Sequence, residues 1–358
     1  MKKVIFLIAL PALILSSCKS DFNLTAKWKE QMVIYCLLNQ TDSVQYIRVN
    51  KTFLGQGNAY SMAAVHDSMN YSFLLNVRLE KWLNGALVQT FAVDTTTSIR
   101  QDSGTFANQP QILYRAHTSP LGVNALTDDG AEYRLTVTNP KTGYQASGRT
   151  KLIPSTGATL PDGSMGLQIT SPFPNPTYNF YLTNFPYKFK STSGNNTRLY
   201  NTVFRFHYTE YDAAGGTNKY VDMNFGTYTT NSLNGGEPME SDVSWSSLTH
   251  FLASSMPDND PTVYKRVMGK CELIIYAGGD EFSTYIQVNQ PVSSITGDKP
   301  TYTNIVNGIG LFSARYTYDV AQWDKPLSNL TLDNLSTDAV SCPMHIANAS
   351  GVVSASCP

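Results

Sequence analysis

Residues 71–93 read YSFLLNVRLEKWLNGALVQTFAV, and the dipeptide Asn84-Gly85 divides this stretch into two apolar-rich halves. A two-residue type I′ turn needs positive φ angles at both turn positions, and asparagine and glycine adopt them most readily. The aliphatic and aromatic residues on both sides of the turn are typical of strands. The stretch therefore predicts a β-hairpin with strands at 71–83 and 86–93.

The same short-strand pattern recurs along the chain, interrupted by turn residues. Further strands are predicted at 32–38, 43–53, 111–117, 132–138, 143–152, 202–212, 219–225, 263–276 and 308–320. Within 202–212, Arg205 and His207 alternate with Phe204 and Phe206, which assigns the two polar side chains to one face of that strand. The chain is therefore predicted to be all-β, with one or two short helices.

Helical spacing is confined to a few places. The clearest helix is predicted near 243–256, with Asp242 as its N-cap and Pro257 as its stop. Its apolar face is formed by Trp245, Leu248, Leu252 and Met256. A short helix is also expected within 59–65, and residues 280–289 fit either a short helix or a strand.

A composition shift divides the chain into two β-rich regions. Five prolines, at 154, 161, 172, 174 and 176, fall within one glycine- and serine-rich stretch, where proline removes ladder donors. We expect an N-terminal β-sandwich of immunoglobulin, fibronectin or transthyretin type at 31–153 and a linker at 154–176. A second β-sandwich-like domain is expected at 177–325, followed by a C-terminal tail at 326–358.

The N-terminal segment has the parts of a secretory signal peptide. Two lysines follow Met1, an apolar run extends from Val4 to Leu15, and Ser16-Ser17 precede Cys18. The leucine three residues before Cys18 resembles the bacterial lipobox, in which the cysteine is acylated and becomes the mature N-terminus. We therefore expect a signal peptide at 1–17, lipid attachment at Cys18 and a tether at 18–30.

This segment also allows two other interpretations. An ordinary signal peptide with an incidental cysteine is one alternative. A single transmembrane helix is the other, but the apolar run of about 12 residues is shorter than the roughly 20 that span a bilayer.

Composition excludes some classes of function. The formal net charge is -1 and only 15% of the residues are charged, so the chain has no basic field for nucleic acid. The histidines are widely spaced and show no i, i+4 pair, and no Cys-x-x-Cys grouping accompanies them. The sequence predicts no metal site, no cofactor and no catalytic residues, and it predicts His207 to be a strand residue rather than a ligand.

The cysteines beyond Cys18 fall into two groups. Cys342 and Cys357 lie in the tail, where a crosslink would restrain a loop, and they are the favoured disulfide pair in an exported chain. Cys36 and Cys271 lie within apolar strand patterns, which favour buried free thiols.

Two segments carry a resemblance to a known family. They are YCLLN at 35–39 with DSVQYIRVNKTFLG at 42–55, and YTNIVNGIGLFSAR at 302–315. Both resemble an uncharacterised family of Bacteroidota outer-membrane lipoproteins. The resemblance implies two β-rich domains in organisms whose outer-membrane transporters are energised through TonB, and it transfers no catalytic residue.

The expected function is binding at a membrane. We expect a lipid-anchored outer-membrane accessory protein that works with a TonB-dependent transporter or another cell-surface assembly, on either leaflet. The alternative is a structural or adhesive envelope protein that binds glycan or polymer, and a surface hydrolase is a third class. An aromatic platform for a glycan or peptide ligand is weighed against ordinary core packing for Trp28, Trp82, Trp245 and Trp323.

Overall fold

The structure, a computed structural model, describes most of the chain. The described residues are 29–53, 58–99, 110–154, 187–256, 260–290, 301–319, 325–327 and 329–357. The predicted signal peptide, the lipid attachment site Cys18 and nearly all of the predicted tether and linker lie outside these ranges. The predicted domain boundaries therefore stay predictions.

Strands dominate the described residues, and the helices are short. In chain order the strands are β1 (Met32–Leu38), β2 (Val44–Lys51), β3 (Asn76–Leu83), β4 (Ala86–Thr90), β5 (Val93–Thr96), β6 (Leu113–His117), β7 (Glu132–Thr138), β8 (Gln145–Lys151), β9 (Tyr187–Thr192), β10 (Leu199–Asp212), β11 (Gly215–Thr229), β12 (Pro238–Val243), β13 (Lys265–Gly278), β14 (Ile305–Val306), β15 (Gly308–Asp319) and β16 (Lys325–Pro326). The helices are α1 (Ala59–Ala63), α2 (His66–Met69), α3 (Trp245–Ser255), α4 (Asp280–Asn289) and α5 (Asn329–Thr337), followed by a 3₁₀ turn at Cys342–Met344. The all-β prediction is confirmed.

Two main sheets organise these strands. The larger has nine strands in the order β11-β10-β13-β15-β1-β2-β6-β5, with β16 paired to β13. The smaller has five in the order β14-β8-β7-β3-β4, and β9 and β12 form a separate ribbon. Alternation explains the sandwich-like packing: Met32, Ile34, Cys36 and Leu38 of β1 are buried, and they share one core cluster with Leu79, Tyr133 and Leu135 of the smaller sheet.

The predicted hairpin is present as β3 and β4. Asn84 and Gly85 have φ angles of 50° and 81°, as the turn requires. The first strand begins at Asn76 rather than at 71, because the Leu75 N–H donates to the Tyr114 hydroxyl at 2.8 Å instead of to a neighbouring strand. The segment predicted as one strand at 86–93 ends at Thr90, and the chain then joins the larger sheet as β5.

Strand β15 connects the two regions. Its first half, residues 308–314, runs parallel to β1, and residues 315–319 pair antiparallel with β13. The preceding β14 pairs with β8. Residues 305–314, which the sequence assigns to the C-terminal domain, therefore complete the sheets of the N-terminal strands.

The second region is built on β10, β11 and β13. The predicted helix is present as α3, and Leu248 and Leu252 on it belong to the same buried cluster as Phe206 of β10. The predicted N-cap is wrong: Asp242 lies in β12, and the cap is Ser244, whose side chain accepts a hydrogen bond from the Ser247 N–H. Residues 280–289, whose sequence fits either a short helix or a strand, form helix α4.

Candidate functional site

The outward face of β10, β11 and β13 carries a cluster of polar and aromatic side chains, which we call the open face. Register aligns Arg205 with Asp222 and with Glu272, and His207 with Tyr220. Paired residues on neighbouring strands point to the same side of a sheet. The open face is defined by Asn201, Arg205, His207, Tyr220, Asp222, Glu272 and Tyr276.

Arg205 is the centre of the open face. Its guanidinium donates to both carboxylate oxygens of Asp222, at 2.7 and 2.9 Å, and lies 4.3 Å from the centre of the Tyr220 ring. The paired hydrogen bonds to Asp222 raise the pKa of Arg205 above its ordinary value. A bidentate pair stacked on a ring holds both side chains in one geometry, so this part of the face is ordered before a ligand binds.

A second polar group lies beside Arg205. Both Lys270 Nζ and His207 Nε2 approach Glu272 Oε1, at 2.7 and 3.1 Å. The His207 nitrogen makes no aligned hydrogen bond, so its contact with Glu272 is electrostatic and depends on the protonation of the ring. Partial burial would raise the pKa of Glu272, but Lys270 and His207 outweigh it and lower that pKa.

The open face also offers aromatic surface. Tyr220 and Tyr276 are 56% and 41% exposed. Asn201, which is paired in register with Tyr276, has a buried Oδ1 atom with no hydrogen-bond partner among the described residues. Exposed rings beside fixed charges suit the binding of a polar surface.

The charged groups of the open face are paired. Arg205 contacts Asp222, and both His207 and Lys270 contact Glu272. No group of three or more His, Cys, Asp or Glu side chains in the described part of the chain is placed to hold a metal ion. Within the same residues, no helix combines the length and the apolar character needed to cross a membrane.

The two described tryptophans are bonded within the fold. Trp82 is half-buried, stacks against Arg134 at 4.0 Å and donates to Glu80. Trp245 is buried and donates to Asp338 at 2.9 Å, as the core-packing alternative expects. Trp28 and Trp323 lie outside the described residues. The exposed rings of the open face are tyrosines.

No protein-family model matches the chain, and no curated protein is significantly similar to it.

The cysteines occupy two different environments. Cys342 and Cys357, the pair that the sequence favours, form a disulfide with a Cα–Cα distance of 5.5 Å. Cys36 and Cys271 are buried thiols, and burial raises the pKa of Cys36 to about 12. The disulfide closes a loop that contains Met344 and Ile346. These two side chains are 2% and 1% exposed, because the loop packs on the second region.

Replacing Cys342 and Cys357 by serine is expected to lower the free energy of unfolding by about 2–3 kcal/mol, because the closed loop restrains the unfolded chain. The bridge spans a sequence separation of 15 residues. Urea unfolding of both proteins, with and without reductant, measures the effect. A reductant should destabilise the natural chain and leave the double variant unchanged; equal stability of the two oxidised proteins would contradict the prediction.

Proposed function

We propose that this chain is a lipid-anchored outer-membrane accessory protein that uses the open face to bind a protein partner, either a TonB-dependent transporter or another surface assembly. The Leu15–Cys18 pattern supports the anchor, and the resemblance of 35–55 and 302–315 to Bacteroidota lipoproteins supports the location. The anchor confines the chain to the membrane plane, which raises its effective concentration near membrane partners.

The observation that carries the binding role is the composition of the open face. Tyr220 and Tyr276 are exposed, and Arg205 is already fixed between Asp222 and Tyr220. Tyrosine and arginine are enriched at the energetic centres of protein interfaces, and side chains that are fixed in advance lose little entropy on binding. The face is therefore better suited to recognition than a surface of mobile lysines and glutamates.

The position of the open face also fits display to a partner. Strand β15 begins beside Met32, two residues after Glu30, and its 12 residues extend about 36 Å at the usual rise per residue. Its far end, at Asp319, pairs with Ile274, two residues from Glu272 on the open face. The open face thus lies near one end of β15, and the tether would leave near the other.

A second function, adhesion to a glycan or polymer, is favoured by one observation. The exposed tyrosine rings and Asp222 combine a stacking surface with a hydrogen-bonding group, which is how proteins bind sugars. Binding of isolated glycans in the absence of any protein partner would support this function over the first.

The experiment that tests the proposal is a pull-down from native outer membranes in mild detergent, with a Cys18→Ala control. Recovery of one transporter in stoichiometric amount with the lipidated chain alone is the expected result. Absence of any specific protein would contradict the accessory role and leave adhesion as the function to test.

Replacing Tyr220 and Tyr276 by serine should reduce recovery of that partner at least about 30-fold, since truncation of a hot-spot residue costs about 2 kcal/mol or more. Tyr60→Ser is the matched control, because Tyr60 is 72% exposed but lies on α1, away from the open face. Circular dichroism and urea unfolding check that each variant is folded. Equal recovery with the double variant and the control would show that the partner binds elsewhere.

A further inference from the structure

The first described residues are held at one end of the N-terminal strands. The Glu30 carboxylate accepts hydrogen bonds from the Tyr71 hydroxyl at 3.1 Å, Asn139 Nδ2 at 2.6 Å and the Thr142 hydroxyl at 2.8 Å. Three donors on two separate chain segments hydrogen-bond the carboxylate and fix where the chain enters β1. The exit of the tether is therefore a defined point on the surface.

Cationic and aromatic side chains alternate around this exit point. Lys51 Nζ lies 5.8 Å from the centre of the Tyr71 ring, the Tyr71 and Phe73 rings are 5.6 Å apart, and Lys141 Nζ lies 3.8 Å from the centre of the Phe73 ring. Lys29 is exposed beside Glu30. We call this surface the tether-end patch. It is defined by Lys29, Lys51, Phe73, Lys141 and Leu74, the residue that follows Phe73.

The patch combines positive charge with exposed apolar surface. Leu74 is 57% exposed in the segment before β3, next to Phe73. The three lysines outnumber two nearby carboxylates, Glu30, which is bonded to three neutral donors, and Asp67 on α2, which lies 3.4 Å from His66. An exposed leucine beside a surplus of lysines matches the boundary between the headgroups and the acyl chains of a bilayer.

The length of the tether allows this patch to reach the membrane. From Cys18 to Lys29 the chain has eleven steps. Fully extended, eleven residues span at most about 40 Å. The surface that surrounds the exit of the tether is therefore within reach of the bilayer.

We propose that the tether-end patch docks on the anionic phospholipid headgroups of the membrane that holds the anchor, with Leu74 at the headgroup boundary. This inference rests on the proposed acylation of Cys18. It adds an orientation: the N-terminal strands rest on the bilayer, and the open face points away from it. Acyl chains and a basic patch together give firmer attachment than either alone.

The test places an environment-sensitive fluorophore on Leu74→Cys in the lipidated full chain. The other cysteines do not compete, because Cys36 and Cys271 are buried and Cys342 is bridged to Cys357. The protein is reconstituted in vesicles of phosphatidylethanolamine and phosphatidylglycerol that contain a headgroup-level quencher lipid. The matched probe is on Leu121→Cys, which is 85% exposed in the loop after β6, at the other end of the N-terminal strands.

The expected result is strong quenching and a blue shift for the probe at position 74 and neither for the probe at 121. Lys51→Glu and Lys141→Glu should each lower the ratio of docked to free protein about fivefold or more, since one lysine near an anionic surface contributes about that factor. Lys151→Glu, at the distal end of β8, is the control and should have no effect. Vesicles of phosphatidylcholine alone should weaken the quenching.

Two different failures are distinguishable. Intact mass measured on the membrane-extracted chain reports acylation at Cys18 directly, and its absence would overturn both the anchor and the docking. An acylated chain in which the probes at 74 and 121 are quenched equally would overturn the docking alone and leave the proposed function standing.

Discussion

We expect Gly310→Ala to lower the free energy of unfolding by more than about 4 kcal/mol, enough to unfold many domains of this size. Gly310 has a φ angle of 119°, and a Cβ atom there would lie 1.9 Å from the Ile34 carbonyl oxygen and 2.8 Å from the Ile34 carbonyl carbon. Both atoms belong to the backbone of β1, which is paired in register with β15 on one side and β2 on the other. Neither strand can move away without breaking its ladder.

The chain contains a matched control for this substitution. Gly226 in β11 has nearly the same φ angle, 113°, but a Cβ atom there would have nothing within 4 Å. Gly226→Ala therefore measures backbone strain alone, which costs about 1–3 kcal/mol. Urea unfolding of the two variants separates the clash from the strain, and an equal cost for both would show that the close contact of β1 and β15 is not what requires glycine.

The elements of this fold can be predicted from sequence because they depend on local signals. The Asn84-Gly85 turn, the alternation of β1 and the apolar spacing of α3 each specify their own conformation. The parallel pairing of Met32–Leu38 with the strand that starts at Gly308 has no such signal, because its partners lie more than 270 residues apart. Periodicity fixes which side of a strand is buried and leaves its neighbours undetermined.

For the candidate site too, the sequence predicts which side chains share a strand face but not their partners on the next strand. Alternation assigns Arg205 and His207 to one face of β10, and this follows from the sequence. Their partners Asp222 and Tyr220 depend on the register of the hairpin of β10 and β11, which is set by the turn between Asp212 and Gly215, so alternation within β10 does not identify them. Composition left an aromatic platform and core packing both open for the tryptophans, because it does not reveal that the Trp245 indole N–H is satisfied by Asp338 inside the fold.

Arg266→Ala is expected to cost about 3–5 kcal/mol, the usual effect of breaking a buried ion pair. Arg266 is 2% exposed, and its guanidinium donates to Glu210 at 2.9 Å and to the Met344 carbonyl at 2.8 Å. Its backbone N–H also donates to the His345 carbonyl at 2.8 Å. The substitution removes the guanidinium contacts, including the one with Met344 that helps to hold the C-terminal tail against β13. It also leaves the half-buried Glu210 with one cation fewer.

Lys219→Ala is the control, because Lys219 contacts the same carboxylate from a side chain that is 45% exposed. An exposed ion pair contributes at most about 1 kcal/mol, so the two variants should differ clearly at neutral pH. Unfolding by urea gives the two costs, and hydrogen exchange at the Ala347 N–H, which donates to the Arg266 carbonyl at 2.9 Å, reports release of the tail. Similar costs for both variants would mean that burial of Arg266 adds nothing to its ion pair.

The cost of Arg266→Ala should also depend on pH. Partial burial tends to raise the pKa of Glu210, but Lys219 and Arg266 outweigh it and hold that pKa below its ordinary value. A carboxyl whose pKa is lowered by folding contributes stability above its unfolded pKa and loses that contribution as the pH falls through the folded value. The stability difference between the natural chain and Arg266→Ala should therefore be largest near neutral pH and shrink in acid. A difference that stays constant down to the acid limit would assign the effect to the hydrogen bond with Met344 rather than to the pairing with Glu210.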